Sequence, residues 1–281
     1  MQFGMIPYDG LEEENFLFPE VEQPFLPGTK TKNPVIYIGL PNWTFKEDLK
    51  HKNSPYPIPG TLPFYSTIFN SVELNATHYV MPEADKIVKW TKSVEHEEFK
   101  FCPKFYKGIT HTGNIDLHKM GITKLFINDV KRFKDKLGTS LLQVPENFNM
   151  ENKSGLIEFL KALPNDFETS VELRNPNWFN DTDLLISFIK ELNLNNKGLV
   201  ISDSPGRRDA VHMHLSNPTA FIRFFCRGDN ELDKLRISLW KDQLKSWYLQ
   251  GLEKCFFFLH INEKSSEEHF IKYVQSELVF N

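Results

Sequence analysis

Cysteine is scarce. The three in 281 residues, Cys102, Cys226 and Cys255, are too few for a disulfide scaffold and have no metal-ligand spacing. All three fall in segments that look like strands, so they are expected to be buried, reduced thiols, which suit a cytoplasmic setting. No apolar run approaches the roughly 18 residues of a membrane span, and the acidic stretch Met1 to Glu14 lacks the apolar segment of a signal peptide. Positive charge is not in excess: the formal net charge is −4, which gives no electrostatic case for nucleic acid or an anionic membrane as partner. The G-x-S-x-G, Walker A and H-E-x-x-H patterns are absent, as is the G-x-G-x-x-G turn of a dinucleotide fold. These absences exclude the commonest signatures of nucleophilic, phosphate-loop and zinc-peptidase chemistry, and no cofactor is indicated.

What is present is a heavily aromatic chain, with 25 Phe and 40 % hydrophobic residues, enough for one large core. Residues 1–33 are rich in Pro, Glu and Gly without a sustained period; they are expected to form an arm, wrapped on the domain or partly ordered, that contributes none of the repeating units. The arm is expected to be dispensable for barrel formation, with Phe16, Phe18 and Phe25 as the side chains able to pack onto the barrel. From residue 34 to 281, β-rich runs alternate with helical periods. Strands are expected at 34–39, 71–79, 99–104, 140–145, 169–178, 198–203, 221–226 and 255–262. Helices are expected near 63–70, 83–92, 117–136, 154–162, 183–192, 232–249 and 266–279. Eight units spaced by about 30 residues predict an α/β fold, a single (β/α)8 TIM barrel carrying an N-terminal arm.

The strands share an oddity. In 169–178, alternation sends Val171 and Leu173 to one face and Glu172 and Arg174 to the other. The same alternation sets Glu73, Lys104, Gln143, Asp203, Arg223 and Asn262 against apolar neighbours, each near the end of its strand. In a barrel such side chains point inward at the C-terminal mouth, where barrel enzymes build their sites. Glu73, Glu172 and Asp203 are the candidate acids and bases, and Lys104, Arg174 and Arg223 are a clamp for an anion. His111 is a further acid or base, while Trp43, Trp178 and Tyr79 are candidate aromatic walls or loop anchors. A lattice of three acids and three bases that merely fills the mouth is the competing reading, because unpaired buried charges cost several kcal/mol. Filling a barrel with Val, Ile and Leu would be cheaper, which favours a substrate site. A cation held by His260, Asp203 and Glu172 is a weaker alternative, and no metal site is assigned. Two carboxylates also suit glycoside hydrolysis, but Gln143 and Arg223 end the fourth and seventh strands, where the large glycosidase barrel group carries glutamates.

The motifs Gly39 with Trp43, Tyr56-Pro57, Phe69-Asn-Ser-Val-Glu73-Leu-Asn-Ala-Thr, Phe99-Lys-Phe with Lys104, Ile109-Thr-His111, Leu142-Gln-Val-Pro, Val171-Glu-Leu-Arg174 with Trp178, and Asp203 occur in one order. In that order they resemble the YecE-like family, the domain of unknown function 72. The run Gly206-Arg-Arg-Asp-Ala-Val-His-Met and the ending Phe258-Leu-His-Ile-Asn look like a branch common in Bacteroidetes. The resemblance implies a TIM barrel and no established reaction. The functional expectation is an enzyme, hydrolase or isomerase-like, acting on a small anionic ligand such as a phosphorylated sugar or nucleotide-like compound. A non-catalytic binding protein and a metal-assisted phosphoester hydrolase remain as alternatives.

Overall fold

Eight parallel strands carry the fold: β1 (Val35–Leu40), β2 (Ser71–Leu74), β3 (Lys100–Pro103), β4 (Ser140–Gln143), β5 (Thr169–Glu172), β6 (Gly198–Asp203), β7 (Thr219–Phe225) and β8 (Lys254–His260). They come from a computed structural model that describes residues 16–30, 34–44, 61–148, 150–227, 230–261 and 267–278. The hydrogen-bonded order is β3-β2-β1-β8-β7-β6-β5-β4. The two ends of that order meet, because Gly138 N donates to Phe101 O at 2.8 Å and Phe105 N to Leu141 O at 2.9 Å. The sheet is therefore a nearly closed α/β barrel of the TIM type, and no helix among the described residues is long and apolar enough to cross a membrane.

Alternation divides the strand residues between two layers. Outward-facing Val72, Phe101, Leu142, Val171, Ile201, Ile222 and Phe257 join the large core under the helices. Inward-facing Tyr37, Cys102, Leu141, Val200, Phe221, Phe256 and Phe258 form a separate plug inside the barrel, with Tyr37 stacked on Phe256 at 4.8 Å between ring centroids. Burying such large rings provides most of the interior stabilisation, at about 25 cal/mol per Å² of apolar surface. The cysteines lie within these layers as free, buried thiols.

The short β2 is held to β1 by side chains. Asn70 Oδ1 accepts from Ile38 N at 2.7 Å, and its Nδ2 donates to Ile36 O at 2.9 Å. Higher up, the Tyr65 hydroxyl donates to Ser71 O at 2.6 Å and accepts from Leu40 N at 2.8 Å. This insertion leaves no room for a side chain at Gly39, where a Cβ would lie 2.2 Å from Ser71 O.

Several expected strands are shorter than the sequence suggests. After β2 the chain turns at once into the helical turn Ala76–Tyr79, and after β5 it enters Asn177–Asn180 with Pro176 at the N-cap. The sixth unit has no α-helix at all: residues 204–218 contain one 3-10 turn, Arg208–Ala210. The arm packs there; it supplies none of the eight strands, as expected, and is wrapped on the domain. The Gln23 amide donates to Met213 O at 2.7 Å and accepts from Leu215 N at 3.0 Å, bridging the irregular run that stands where a helix would be. Phe16 is fully buried, and Phe18 sits 4.6 Å from Trp240.

Candidate functional site

Above the apolar plug the inward positions become polar, and Arg223 of β7 stands at their centre. Its Nε and Nη2 donate to the two oxygens of Glu73, at 2.8 and 2.9 Å. Its Nη1 reaches both oxygens of Glu172, at 2.8 and 3.0 Å. Glu172 Oε1 also accepts from Ser202 Oγ at 2.6 Å and pairs with Arg174 Nη2 at 2.9 Å. Glu73 accepts from Asn75 Nδ2 at 2.8 Å, and His260 Nε2 lies 3.4 Å from its other oxygen. Both carboxylates are fully buried. Burial alone would raise Glu172, but Arg174, Arg223 and Lys104 overcome it and hold the group at about 2. Burial also opposes ionisation of Glu73, yet Arg223 and His260 hold it well below the usual carboxylate range. These glutamates are fixed anions.

Lys104, just beyond β3, is placed differently. Its Nζ donates to Gln143 Oε1 at 2.7 Å, and among the described residues no carboxylate lies within ion-pair distance of it. Burial, then Arg223, lower the ammonium to about 8 against the pull of Glu172 and Glu73. The Gln143 amide nitrogen lies 3.4 Å from His111 Nε2, and His111 Nδ1 is 2.7 Å from Thr110 Oγ1. A donating Gln143 amide leaves Nε2 as acceptor, so His111 is neutral and donates from Nδ1. Burial and Lys104 lower His111, and burial and Arg223 lower His260. Over these groups lies an open cavity of ≈ 400 Å³, with Lys104, Gln143, Arg174, Arg223, Asn75 and His260 in its wall and Tyr79 and Phe225 at its rim. Glu73 and Glu172 are outside that lining, beneath the guanidinium groups.

The family model described as "Protein of unknown function DUF72" matches residues 37–279. The chain belongs to the DUF72 family. UPF0759 protein YecE of Escherichia coli K12 is 26 % identical over 244 residues, covering 80 % of this chain and 86 % of YecE. UPF0759 protein YunF of Bacillus subtilis 168 is 29 % identical over 175 residues, covering 56 % and 57 % of the two chains. A crystal structure of a DUF72 family protein from Enterococcus faecalis V583 superposes with a TM-score of 0.66 at 20 % identity, covering 88 % of this chain and 98 % of that one. One from Thermotoga maritima MSB8 gives 0.61 at 18 %, covering 86 % and 98 %. The solved structures share the fold.

In this DUF72 barrel Glu73, Glu172, Lys104, Gln143, Arg174, Arg223 and His111 come together at the C-terminal mouth. Asp203 does not. Ser202 takes the inward position on β6, so Asp203 faces the helix layer. There its oxygens accept from Arg208 Nη1, from Arg236 Nη2 at 2.8 Å and from Trp240 Nε1 at 2.7 Å. That also dissolves the suggested cation site of His260, Asp203 and Glu172. Among the described residues no group of three or more His, Cys, Asp or Glu is placed to hold a metal ion. Trp178 belongs to the helical turn after β5 and is buried against Phe188 at 4.8 Å, away from the mouth. Trp43 packs edge-on to Trp90 at 5.2 Å, outside the cavity lining. Asn262 lies outside the described residues. Of the three candidate aromatic walls only Tyr79 lines the cavity; Ser202 and Phe225 are additions to the site, and they share strand parity with Val200 and Arg223, the signal by which the sequence shows them.

Proposed function

We propose that the mouth of this barrel binds a small anionic metabolite and acts on it as an enzyme. The observation that carries this reading is a charge imbalance among the described residues: two carboxylates face three cations, Lys104, Arg174 and Arg223. With Asp203 counted at the mouth the charges would cancel, but it is neutralised in the helix layer. An uncompensated buried ammonium costs several kcal/mol, which a carboxylate or phosphate entering the cavity would offset. Lys104 and Arg174 reach the cavity while the glutamates do not, so an incoming anion meets cations first. Glu73 and Glu172 then serve to fix Arg223 and Arg174, not to move protons. Proton transfer falls to His260, which is held neutral, lines the cavity and has Glu73 behind it.

Thermal melts of the wild type and Arg174→Met with glycerol phosphate, sugar phosphates and nucleotides beside their uncharged counterparts test this reading. Bound ligand at a hundredfold its Kd adds about 2.7 kcal/mol of stability. The expected result is stabilisation by at least one anion, no response to the neutral counterpart and a weaker response in Arg174→Met. Equal responses to charged and uncharged compounds would overturn it.

A further inference from the structure

Lys104 is more than nine-tenths buried, yet the only hydrogen-bond partner of its ammonium among the described residues is the neutral oxygen of Gln143. An ammonium intended solely as a structural charge is normally tied to a carboxylate when buried. Here Glu73 and Glu172 are saturated by Arg223, Arg174, Ser202 and Asn75, and Lys104 is left facing the cavity. A desolvated lysine beside other cations is the environment that turns an amine into a nucleophile at neutral pH.

We infer that Lys104 is a catalytic residue that captures the carbonyl carbon of a small anionic aldehyde, ketone or 2-oxo acid as a protonated imine. The inference rests on the anion reading above and narrows its substrate to carbonyl compounds with a carboxylate or phosphate. In the step, the ammonium first gives up one proton and the neutral Nζ attacks the carbonyl carbon. A proton moves from nitrogen to the former carbonyl oxygen, forming a carbinolamine. The proton released at the start returns to the hydroxyl, which leaves as water, and the C=N bond forms on a nitrogen that keeps one hydrogen and the positive charge. No oxidant or reductant is needed. The cavity charge is unchanged from start to finish, so Arg174 can hold the anionic end throughout, and the iminium becomes the electron sink for bond changes at the neighbouring carbon. His260, in the same wall, is the group placed to carry the proton. With Lys104 at about 8, roughly a tenth of the amine is neutral at pH 7, about two orders of magnitude more than for an ordinary lysine.

Reductive trapping decides it. The full chain is incubated with pyruvate or with dihydroxyacetone phosphate in cyanoborohydride at neutral pH, then digested and mapped by mass spectrometry. The expected result is a reduced adduct on the Lys104 peptide, in large excess over every other lysine peptide, lost in Lys104→Arg and suppressed by inorganic phosphate. The probe that reacts shows whether the recognised anion is a carboxylate or a phosphate. Adducts spread evenly over exposed lysines, with Lys104 unmodified in the folded wild type, would overturn the inference; this map does not depend on how the variant folds. Phosphate that raises the melting temperature without any Lys104 adduct would sink the imine alone. No response to any anion would sink the anion reading as well.

Discussion

Replacing Arg223 with Met removes the guanidinium while keeping a side chain of similar reach, and it strands two buried carboxylates. Glu73 is left with Asn75 and His260, and Glu172 with Arg174 and Ser202. Taking one partner from a buried ion pair costs about 3–5 kcal/mol. The carboxylates give an independent scale, since holding Glu172 at about 2 against an ordinary 4.5 corresponds to about 3 kcal/mol of stability in the ionised state. In the wild type both folded-state values are depressed, so this stability is complete above the unfolded carboxylate value and is lost as pH falls from about 4.5 toward 2. In Arg223→Met burial prevails at Glu73, its value rises, and the dependence reverses: the variant gains stability as pH falls through the raised value. Urea unfolding at about pH 8, 6.5 and 5 should therefore show a deficit of about 3–5 kcal/mol that narrows toward acid. Adding Glu73→Gln to Arg223→Met should recover part of the loss, because it removes the carboxylate left with only Asn75 and His260, whereas Glu172 keeps Arg174. A deficit under about 1 kcal/mol, the same at every pH, would refute the account of the lattice.

Asp203→Asn should cost about 3–5 kcal/mol by leaving Arg236 and Arg208 facing a neutral amide, yet leave anion binding at the mouth intact; chemical denaturation beside a binding titration checks both halves. Phe16→Ala should destabilise the barrel by about 3–5 kcal/mol, since the ring is fully buried where the sixth unit has no helix, and a neutral effect on the melt would return the arm to the status of an appendage. Gly39→Ala should disrupt the β1–β2 junction, as its Cβ would meet Ser71 O at 2.2 Å; a soluble variant with wild-type melting temperature would show that the junction can shift.

The barrel was legible because eight β-rich runs recur with helical periods between them, and strand parity alone placed Glu73, Gln143, Glu172 and Arg223 on inward faces. Parity also held the correct answer for Asp203. Val200 and Ser202 share the inward face, so Asp203 had to point out, but its charge suggested otherwise. Trp178 was misplaced because Pro176 begins a helical turn instead of merely ending the strand. Phe16, Phe18 and Phe25 mark an arm able to pack on the barrel, but without a period they do not say where; the gap the arm covers shows only once residues 204–218 prove to lack a helix. The isolation of Lys104 was likewise invisible, because it depends on which cations the two glutamates choose in space.

The central claim, that the mouth takes up an anion because its cations outnumber its carboxylates, is tested most directly by calorimetric titration of inorganic phosphate into the wild type and Lys104→Met. The wild type should bind at about pH 7 and more weakly as pH rises through about 8, where Lys104 loses its proton and the surplus charge. Lys104→Met, with its charges balanced, should bind about tenfold or more weakly at neutral pH, the scale of one charge-assisted hydrogen bond. No binding by the wild type, or equal binding by both proteins, would contradict the claim.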